Sequence, residues 1–254
     1  MVRFGCAFLL AAALATPAAA DVTLRQKTSA KMAMGGGSGE GVVQIKGTRM
    51  RTDDGATGST TIVDLGSQQM IVLNTKRRQA EVYDMTKLGA DLAKLPISDV
   101  QTKVTPTAET RQIAGASCTV HTMDVMVPAE MGGEKIQFLI SGPVCLSKNA
   151  PGQAEFAAFY KAASEKGMIF GDPRAARAQP GPGRGMSALY REFAGLGVPL
   201  AQEMNIKFSG SGPMAGMMSK MGSSTVTTEV LSISTDPIPD SAFEIPAGFS
   251  VNKR

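Results

Sequence analysis

The stretch from Glu40 to Met85 constrains the fold more than any other part of the chain, because apolar and polar residues alternate in it over several short runs. Val43 and Ile45 share one face of the first run, and Ile71 and Leu73 share one face of a later run. A period of two residues predicts half-buried antiparallel strands. The runs are separated by turn-forming residues: Asp53-Asp54-Gly55, Gly66-Ser67 and Asn74-Thr75-Lys76. We therefore expect a meander whose concave side must be covered by something apolar.

The first twenty residues predict export. They contain one arginine, a core of Ala, Leu and Phe, and the small residues Ala18-Ala19-Ala20 before Asp21, which is the pattern of a secretory signal peptide. The apolar run is shorter than the roughly 20 residues of a membrane span. No later run is long enough to cross a bilayer. We expect residues 1–20 to be removed, and the mature chain to lie in the periplasm of a Gram-negative bacterium without a transmembrane segment.

Two cysteines remain after this leader, Cys118 and Cys145. An even number in an exported chain favours one disulfide, with two buried free thiols as the alternative. The bridge would close a loop of about 28 residues and stabilise the fold by about 3–4 kcal/mol on the chain-entropy estimate. No C-x-x-C spacing indicates redox catalysis, so the predicted role is structural.

Charge and length narrow the class of protein. The chain of 254 residues has 26 Lys and Arg against 22 Asp and Glu, and it has no Trp. Because the excess of positive charge is small and scattered, no nucleic-acid partner is expected. Residues 21–254 are assigned to a single domain. Within it, the segment 172–185 predicts a Pro/Gly-rich exposed loop, and the segment 209–224 predicts a flexible Met-rich loop.

The remaining segments predict further strands and three helices. Met34–Gly39 is expected to be a flexible glycine turn, and the tail from Ile238 to Val251 offers three apolar side chains for gaps in the core: Phe243, Ile245 and Phe249. Strands are predicted within 21–31, 100–109, 118–127, 134–146, 200–209 and 225–234, and helices within 86–95, 154–166 and 186–193.

Catalysis is not expected. His121 is the only histidine, which leaves no second one for a zinc site or a proton relay. Asp53 and Asp54 are adjacent on a strand and therefore point to opposite faces, so they predict a turn and not an acid/base pair. The sequence contains no G-x-S-x-G, P-loop, H-E-x-x-H or G-x-G-x-x-G motif. We predict a protein that is not an enzyme and has no cofactor.

A group of methionines offers one candidate metal site. Thioether sulfur suits Cu(I), and export places the segment where copper is handled. The same residues surrounded by Gly and Ser also fit a mobile apolar flap or no specific role. The candidate ligands are Met214, Met217, Met218 and Met221.

Two predicted helices carry aromatic stripes that allow two interpretations. They either cover one face of the sheet as ordinary core, or they form a lid over an incompletely filled cavity that accepts a lipid or another apolar molecule. The candidate ligand-binding residues are Phe156, Phe159, Tyr160, Leu189 and Phe193.

Three blocks of the sequence resemble an uncharacterised exported bacterial family. They are VVQIKGTRMRTDD with the STTIVDLGSQQMIVLNTKRRQAEVYDM that follows it, IAGASCTVHTMDV, and VLSISTDPIPDSAFEIPAGFSV at the end. That family is similar to the LolA-like lipoprotein-carrier superfamily. The resemblance implies an unclosed antiparallel half-barrel with helices at its mouth, and it transfers no catalytic residue.

We therefore expect an α+β protein with a curved antiparallel sheet and helices across its concave face. The first hypothesis for its function is non-enzymatic binding of an apolar molecule such as a lipid or acyl chain. The alternatives are a Cu(I)-binding protein that uses the Met-rich loop, and an envelope structural or interaction module with a filled core. The expected partners are a lipid or other apolar small molecule, or an envelope protein or lipoprotein.

Overall fold

Strands account for most of the structure and join into one sheet. The computed structural model describes residues 21–32, 35–93, 100–131, 133–168, 173, 180–220 and 222–254. The strands are β1 (Val22–Met32), β2 (Gly35–Lys46), β3 (Arg49–Asp54), β4 (Ser59–Asp64), β5 (Gln69–Asn74), β6 (Gln79–Asp84), β7 (Gln101–Ile113), β8 (Ala116–Met131), β9 (Glu134–Ser147), β10 (Val198–Gly210), β11 (Ser224–Ser234) and β12 (Ser250–Lys253).

Four α-helices and a short 3-10 helix accompany the sheet in the described part of the chain. They are α1 (Met85–Ala93), α2 (Gln153–Glu165), α3 (Pro180–Leu196), α4 (Pro213–Lys220) and the 3-10 helix Asp240–Phe243. Helices α2 and α3 pack against each other, and α3 also packs on β8 and β9. The predicted α+β class is thereby confirmed.

The sheet is open, as predicted. Its strand order is β12-β6-β5-β4-β3-β2-β1-β11-β10-β9-β8-β7, so β12 and β7 are the two edges. All neighbours are antiparallel except β12, which runs parallel to β6. Pro106 lies on the edge strand β7, where the lack of a backbone N–H removes no bond from the interior of the sheet.

The meander from β3 to β6 is a repeat of ten residues, since its strands begin at 49, 59, 69 and 79. Each strand has six residues and ends in Asp54, Asp64, Asn74 or Asp84. The side-chain oxygen of the fourth of these residues accepts a backbone N–H in the first turn of α1. In the other three it accepts a backbone N–H of the turn that follows, as between Asp64 Oδ1 and the amide of Gly66 at 2.7 Å. This Asx-type turn fixes the loop length and therefore the register of each hairpin.

The glycine segment is strand and not the predicted flexible turn. Gly35–Gly39 belong to β2 and pair with β1, Gly39 opposite Thr28; Met34 lies outside the described residues. A Cβ on Gly39 would collide with the backbone of Gly55 and lie 2.7 Å from the backbone nitrogen of Ala56. The glycines therefore allow two backbones to approach closely, which sequence composition does not distinguish from flexibility.

The two segments interpreted as loops are partly helical. Within 172–185, residues 180–185 form the first turns of α3, whereas 172 and 174–179 lie outside the described residues. Gly185 lets α3 lie close to the sheet, because a Cβ there would be 3.2 Å from Ile140 Cδ1 and Val127 Cγ2. Within 209–224, Pro213–Lys220 form α4, where Ala215 is buried and its amide donates to Glu134 Oε2 at 3.2 Å. Both predictions were wrong for these helical parts, since packing on the sheet outweighs the low helix propensity of Gly.

The C-terminal tail covers the outer face of the meander. Ile238 and Phe243 are buried against Ile62 and other outer-face residues of β4 to β6, with Ile245 and Phe249 packed beside them. The expectation that these side chains fill a gap in the core is confirmed for Phe243, whereas Ile245 and Phe249 are only partly buried. The tail is also held by charge.

Asp240 is the anchor of this tail. Its carboxylate pairs with Arg49 at 2.5 Å and with Lys46 at 3.1 Å. These two hydrogen-bonded cations hold the pKa of the Asp240 carboxyl below its usual value. The Lys46 ammonium also donates to the carbonyl of Ile238 at 2.6 Å, so the tail is fixed by both burial and polar contacts.

A disulfide joins Cys118 of β8 to Cys145 of β9, with the two Cα atoms 5.4 Å apart. The predicted pairing is confirmed. Both cysteines are buried, and Cys145 is directly opposite Val120 in the β8–β9 ladder. The bridge therefore links neighbouring antiparallel strands, and it is typical of proteins that fold in an oxidising compartment.

A candidate binding cavity between the sheet and two helices

The inner face of the sheet and helices α2 and α3 border a partly open cavity of about 810 Å³. Thr61 and Val72 line it from β4 and β5, and Gln202 and Thr228 line it from β10 and β11. Because strands far apart in the sheet order contribute to one cavity, the sheet must curve around it. The volume lies within the roughly 300–1,000 Å³ of small-molecule sites.

The floor of the cavity is apolar, and the alternation of the strands produces it. Every second residue of β3, β4 and β5 faces inward: Met50 is opposite Val63, which is opposite Met70, in consecutive strands. Methionine side chains adapt their shape to different neighbours. The inward-facing apolar lining consists of Leu24, Val43, Met50, Val63, Met70, Val72, Pro199 and Met204 from the sheet, and Phe156, Tyr160, Met186 and Tyr190 from the helices.

Helix α2 is anchored to the sheet at its first turn. Glu155 is buried and its Oε1 accepts the backbone N–H of Gly47, in the turn between β2 and β3, at 2.5 Å. Gly152 precedes the helix with a φ of 74°, and a Cβ on it would collide with Val22. A side chain at Gly152 is thus excluded both by the backbone conformation and by the contact with β1.

An aromatic cluster joins α2 to α3 above the cavity. The rings of Tyr160 and Tyr190 stack with their centroids 4.5 Å apart, and Phe156 lies 4.4 Å from Tyr160. Tyr160 donates a hydrogen bond to Met50 Sδ at 3.5 Å. Burial raises the pKa of both tyrosines, that of Tyr160 well above its usual value, so both hydroxyls stay neutral and the cluster adds no charge to the cavity.

The five predicted ligand-binding residues separate into two groups. Phe156 and Tyr160 line the cavity. Phe159, Leu189 and Phe193 are not among the lining residues; each is at most 1% exposed in the hydrophobic core. The apolar stripe on a helix contains both kinds of position, because one edge of the stripe faces the cavity and the other faces solid core.

Sequence reasoning missed Met186 and Tyr190 as lining residues. They are four positions apart on α3 and therefore lie on one face of that helix. The spacing is visible in the sequence. The predicted helix starts at Met186, however, so the sequence did not show that this face of the helix is turned towards the cavity. Inward-facing strand residues such as Met50 and Val72 were also not singled out.

The mouth of the cavity is polar. It is lined from the strand ends and turns of the meander by Thr52, Asp54, Thr57, Ser59, Asn74, Lys76, Arg77, Gln79 and Glu81. Deeper in the wall, Gln202 Oε1 is buried and has no hydrogen-bond partner among the described residues.

The candidate copper ligands belong to α4 or lie outside the described residues. Met214, Met217 and Met218 are in α4, where Met217 is 61% exposed, and Met221 is not described. Among the residues that the structure describes, no group of three or more His, Cys, Asp or Glu is arranged to hold a metal ion. His121 is buried, with Nδ1 2.9 Å from the carbonyl oxygen of Thr119. Cu(I) binding by the methionines stays a prediction.

In the described ranges no helix is both long enough and apolar enough to cross a membrane. The predicted leader, residues 1–20, lies outside these ranges.

No family model and no curated protein matches the chain. Two crystal structures of PNGF-II, in space groups C2 and P21, are similar to it at 12% sequence identity, with TM-scores of 0.37 and 0.38. Each alignment covers 93% of this chain, which spans about a third of the length of those chains, 31% and 32%. At this distance the likeness assigns neither a family nor an activity.

Proposed function

We propose that this protein binds an apolar molecule, such as a lipid or acyl chain, in the cavity between the sheet and helices α2 and α3, and that it does so without catalysis. The observation that carries the proposal is a cavity of about 810 Å³ with an apolar floor beneath an aromatic cover. A filled core would have no such volume, because protein interiors normally leave few voids larger than a water molecule.

The energetics support an acyl chain as guest. Each buried CH₂ group contributes about 0.8 kcal/mol, so roughly ten methylenes contribute about 8 kcal/mol. This gross gain exceeds the lower part of the roughly 4–15 kcal/mol that association costs. The methionines of the wall, Met50, Met70, Met186 and Met204, give it the adaptability that a flexible chain requires.

The sequence supports the same proposal and a location outside the cytoplasm. The resemblance to an exported family similar to the LolA-like lipoprotein carriers implies an unclosed half-barrel with helices at its mouth, which is an architecture suited to such a cavity. The leader-like residues 1–20 and the Cys118–Cys145 disulfide agree with an exported protein. We therefore place the proposed binding in the periplasm.

Filling the cavity should abolish binding. Val43 and Val42 are neighbours on β2, but Val43 lines the cavity and Val42 faces the other side of the sheet, opposite Asp53. We expect Val43→Phe to weaken binding of the neutral fluorescent probe N-phenyl-1-naphthylamine at least tenfold, because the added ring occupies the space of the guest. The measurement is a fluorescence titration of the mature protein.

Val42→Phe is the matched control and should bind the probe within about twofold of the unchanged protein. Thermal unfolding of both variants shows whether each is folded. Equal probe affinity of Val43→Phe and the unchanged protein would place the probe elsewhere and contradict the proposal. A separate check is native mass spectrometry of protein purified from cells: the proposal expects a co-purifying acyl species that delipidation removes.

A further inference from the structure

A basic turn borders the mouth of the cavity. Residues 75–78 connect β5 to β6, and Lys76 and Arg77 of this turn line the cavity with exposed side chains. In the described part of the chain neither side chain forms an ion pair with a carboxylate. Two cations thus stand beside the opening with their hydrogen-bond donors available.

The carboxylates at the same mouth already have partners. Asp54 accepts the amide of Ala56 at 2.9 Å and the hydroxyl of Thr57 at 2.8 Å. Glu81 accepts the hydroxyl of Tyr83 at 2.7 Å, and its other oxygen pairs with Arg254 at 2.7 Å. Of the two carboxylates only Glu81 has a cation as partner, so Lys76 and Arg77 stand against the single charge of Asp54 and the excess charge at the mouth is positive.

The basic turn is held in place before any guest arrives. Asn74 Oδ1 accepts the backbone N–H of Arg77 at 3.0 Å, and the carbonyl of Arg78 accepts the amide of Ser250 from the C-terminal tail at 2.9 Å. A fixed backbone reduces the entropy that is lost when Lys76 and Arg77 engage a ligand.

We propose that the guest is an anionic amphiphile, whose carboxylate or phosphate head group is bound by Lys76 and Arg77 at the mouth while its chain lies on the apolar floor. This inference rests on the proposed function. An ammonium and a guanidinium both donate charge-assisted hydrogen bonds to such oxygens, and the guanidinium can do so with two parallel bonds. A neutral head group would gain only ordinary hydrogen bonds at this turn.

Arg78 provides a matched control within the same turn. It carries the same charge and is exposed, but it does not line the cavity. If general electrostatic attraction determines the affinity for an anionic ligand, loss of Arg78 and loss of Arg77 lower this affinity equally. If direct contact determines it, only the loss of Lys76 or Arg77 lowers it.

The test is displacement of N-phenyl-1-naphthylamine by four ligands that share a twelve-carbon chain: dodecanoate, dodecyl phosphate, glycerol monododecanoate and dodecyltrimethylammonium, all below their micelle concentrations. We expect the two anions to bind about tenfold more tightly than the neutral ester, and the cation to bind most weakly. The stronger of the two anions identifies the head group.

The variants localise the effect. The double variant Lys76→Gln/Arg77→Gln should lose the tenfold preference for the anions over the neutral ester, whereas Arg78→Gln should keep that preference. Equal affinity for all four ligands, or an equal loss in Arg78→Gln, overturns the head-group inference and leaves the proposed function standing. If neither the probe nor any of the ligands binds, the proposed function itself is wrong.

Discussion

Replacing both Cys118 and Cys145 with alanine is expected to lower the free energy of unfolding by about 3–4 kcal/mol. The two residues are 27 positions apart, and a cross-link over such a loop removes conformations mainly from the unfolded chain. This is a large share of the roughly 5–15 kcal/mol that stabilises a typical domain. Denaturant unfolding of the oxidised protein, the reduced protein and the double variant measures the effect.

The reduced protein is the control for this experiment, because it keeps both sulfur atoms and lacks only the bond. It should unfold at nearly the same denaturant concentration as the double variant. Coincident unfolding of oxidised and reduced protein would contradict the prediction. Neither cysteine lines the cavity, so the double variant, where folded, should bind the naphthylamine probe as the unchanged protein does.

Alternation of apolar and polar residues was sufficient to predict the class of fold. The pattern depends only on which side of a strand meets the core, and the antiparallel hairpins of β3 to β6 follow from it together with the turn residues. The ten-residue repeat was visible in the same residues as Asp54, Asp64, Asn74 and Asp84, but it was not recognised from the sequence. The Asx turns show why it exists: each of the first three residues fixes the turn that follows it, and the fourth accepts an amide at the start of α1.

Glycine was the main source of error. The sequence predicts a flexible turn up to Gly39 and an exposed loop up to Gly185, but at both glycines the backbone lies against another element. Glycine occurs both where a segment has a low propensity for regular structure and where two backbones approach closely. Only the segment that neighbours the glycine in space distinguishes the two cases. For Gly39 that neighbour is Gly55, and for Gly185 it is Ile140 with Val127, at sequence separations that no local pattern reports.

The candidate site could be predicted in outline but not in its residues. An apolar stripe shows that a helix has a buried face, yet it does not show how that face divides between core and cavity. Phe156 and Phe159 illustrate the limit, since they are three positions apart and both almost fully buried, but only Phe156 lines the cavity. The rotation of α2 that separates them depends on contacts such as Glu155 with the amide of Gly47.

Phe159→Ala is expected to lower the free energy of unfolding by about 3–5 kcal/mol and to leave probe affinity within about twofold. Its ring is 1% exposed and packs edge-on against Tyr160, with the centroids 5.4 Å apart. Truncation of such a ring leaves a void in solid core, which costs both the transfer free energy and the contacts around the void. Denaturant unfolding and titration with N-phenyl-1-naphthylamine measure the two effects on one preparation.

Phe156→Ala separates the contribution to stability from the contribution to binding. Phe156 is equally well buried at 2% exposed, so its loss should destabilise the fold comparably, but its ring also lines the cavity. Of these two variants, we expect only Phe156→Ala to weaken probe binding, by about tenfold, because a wall contact worth roughly one to two kcal/mol is lost. If Phe159→Ala weakened binding as much as Phe156→Ala, probe affinity would depend on the stability of helix α2 and not on the wall that this helix contributes. The aromatic cover would then not be part of the binding site.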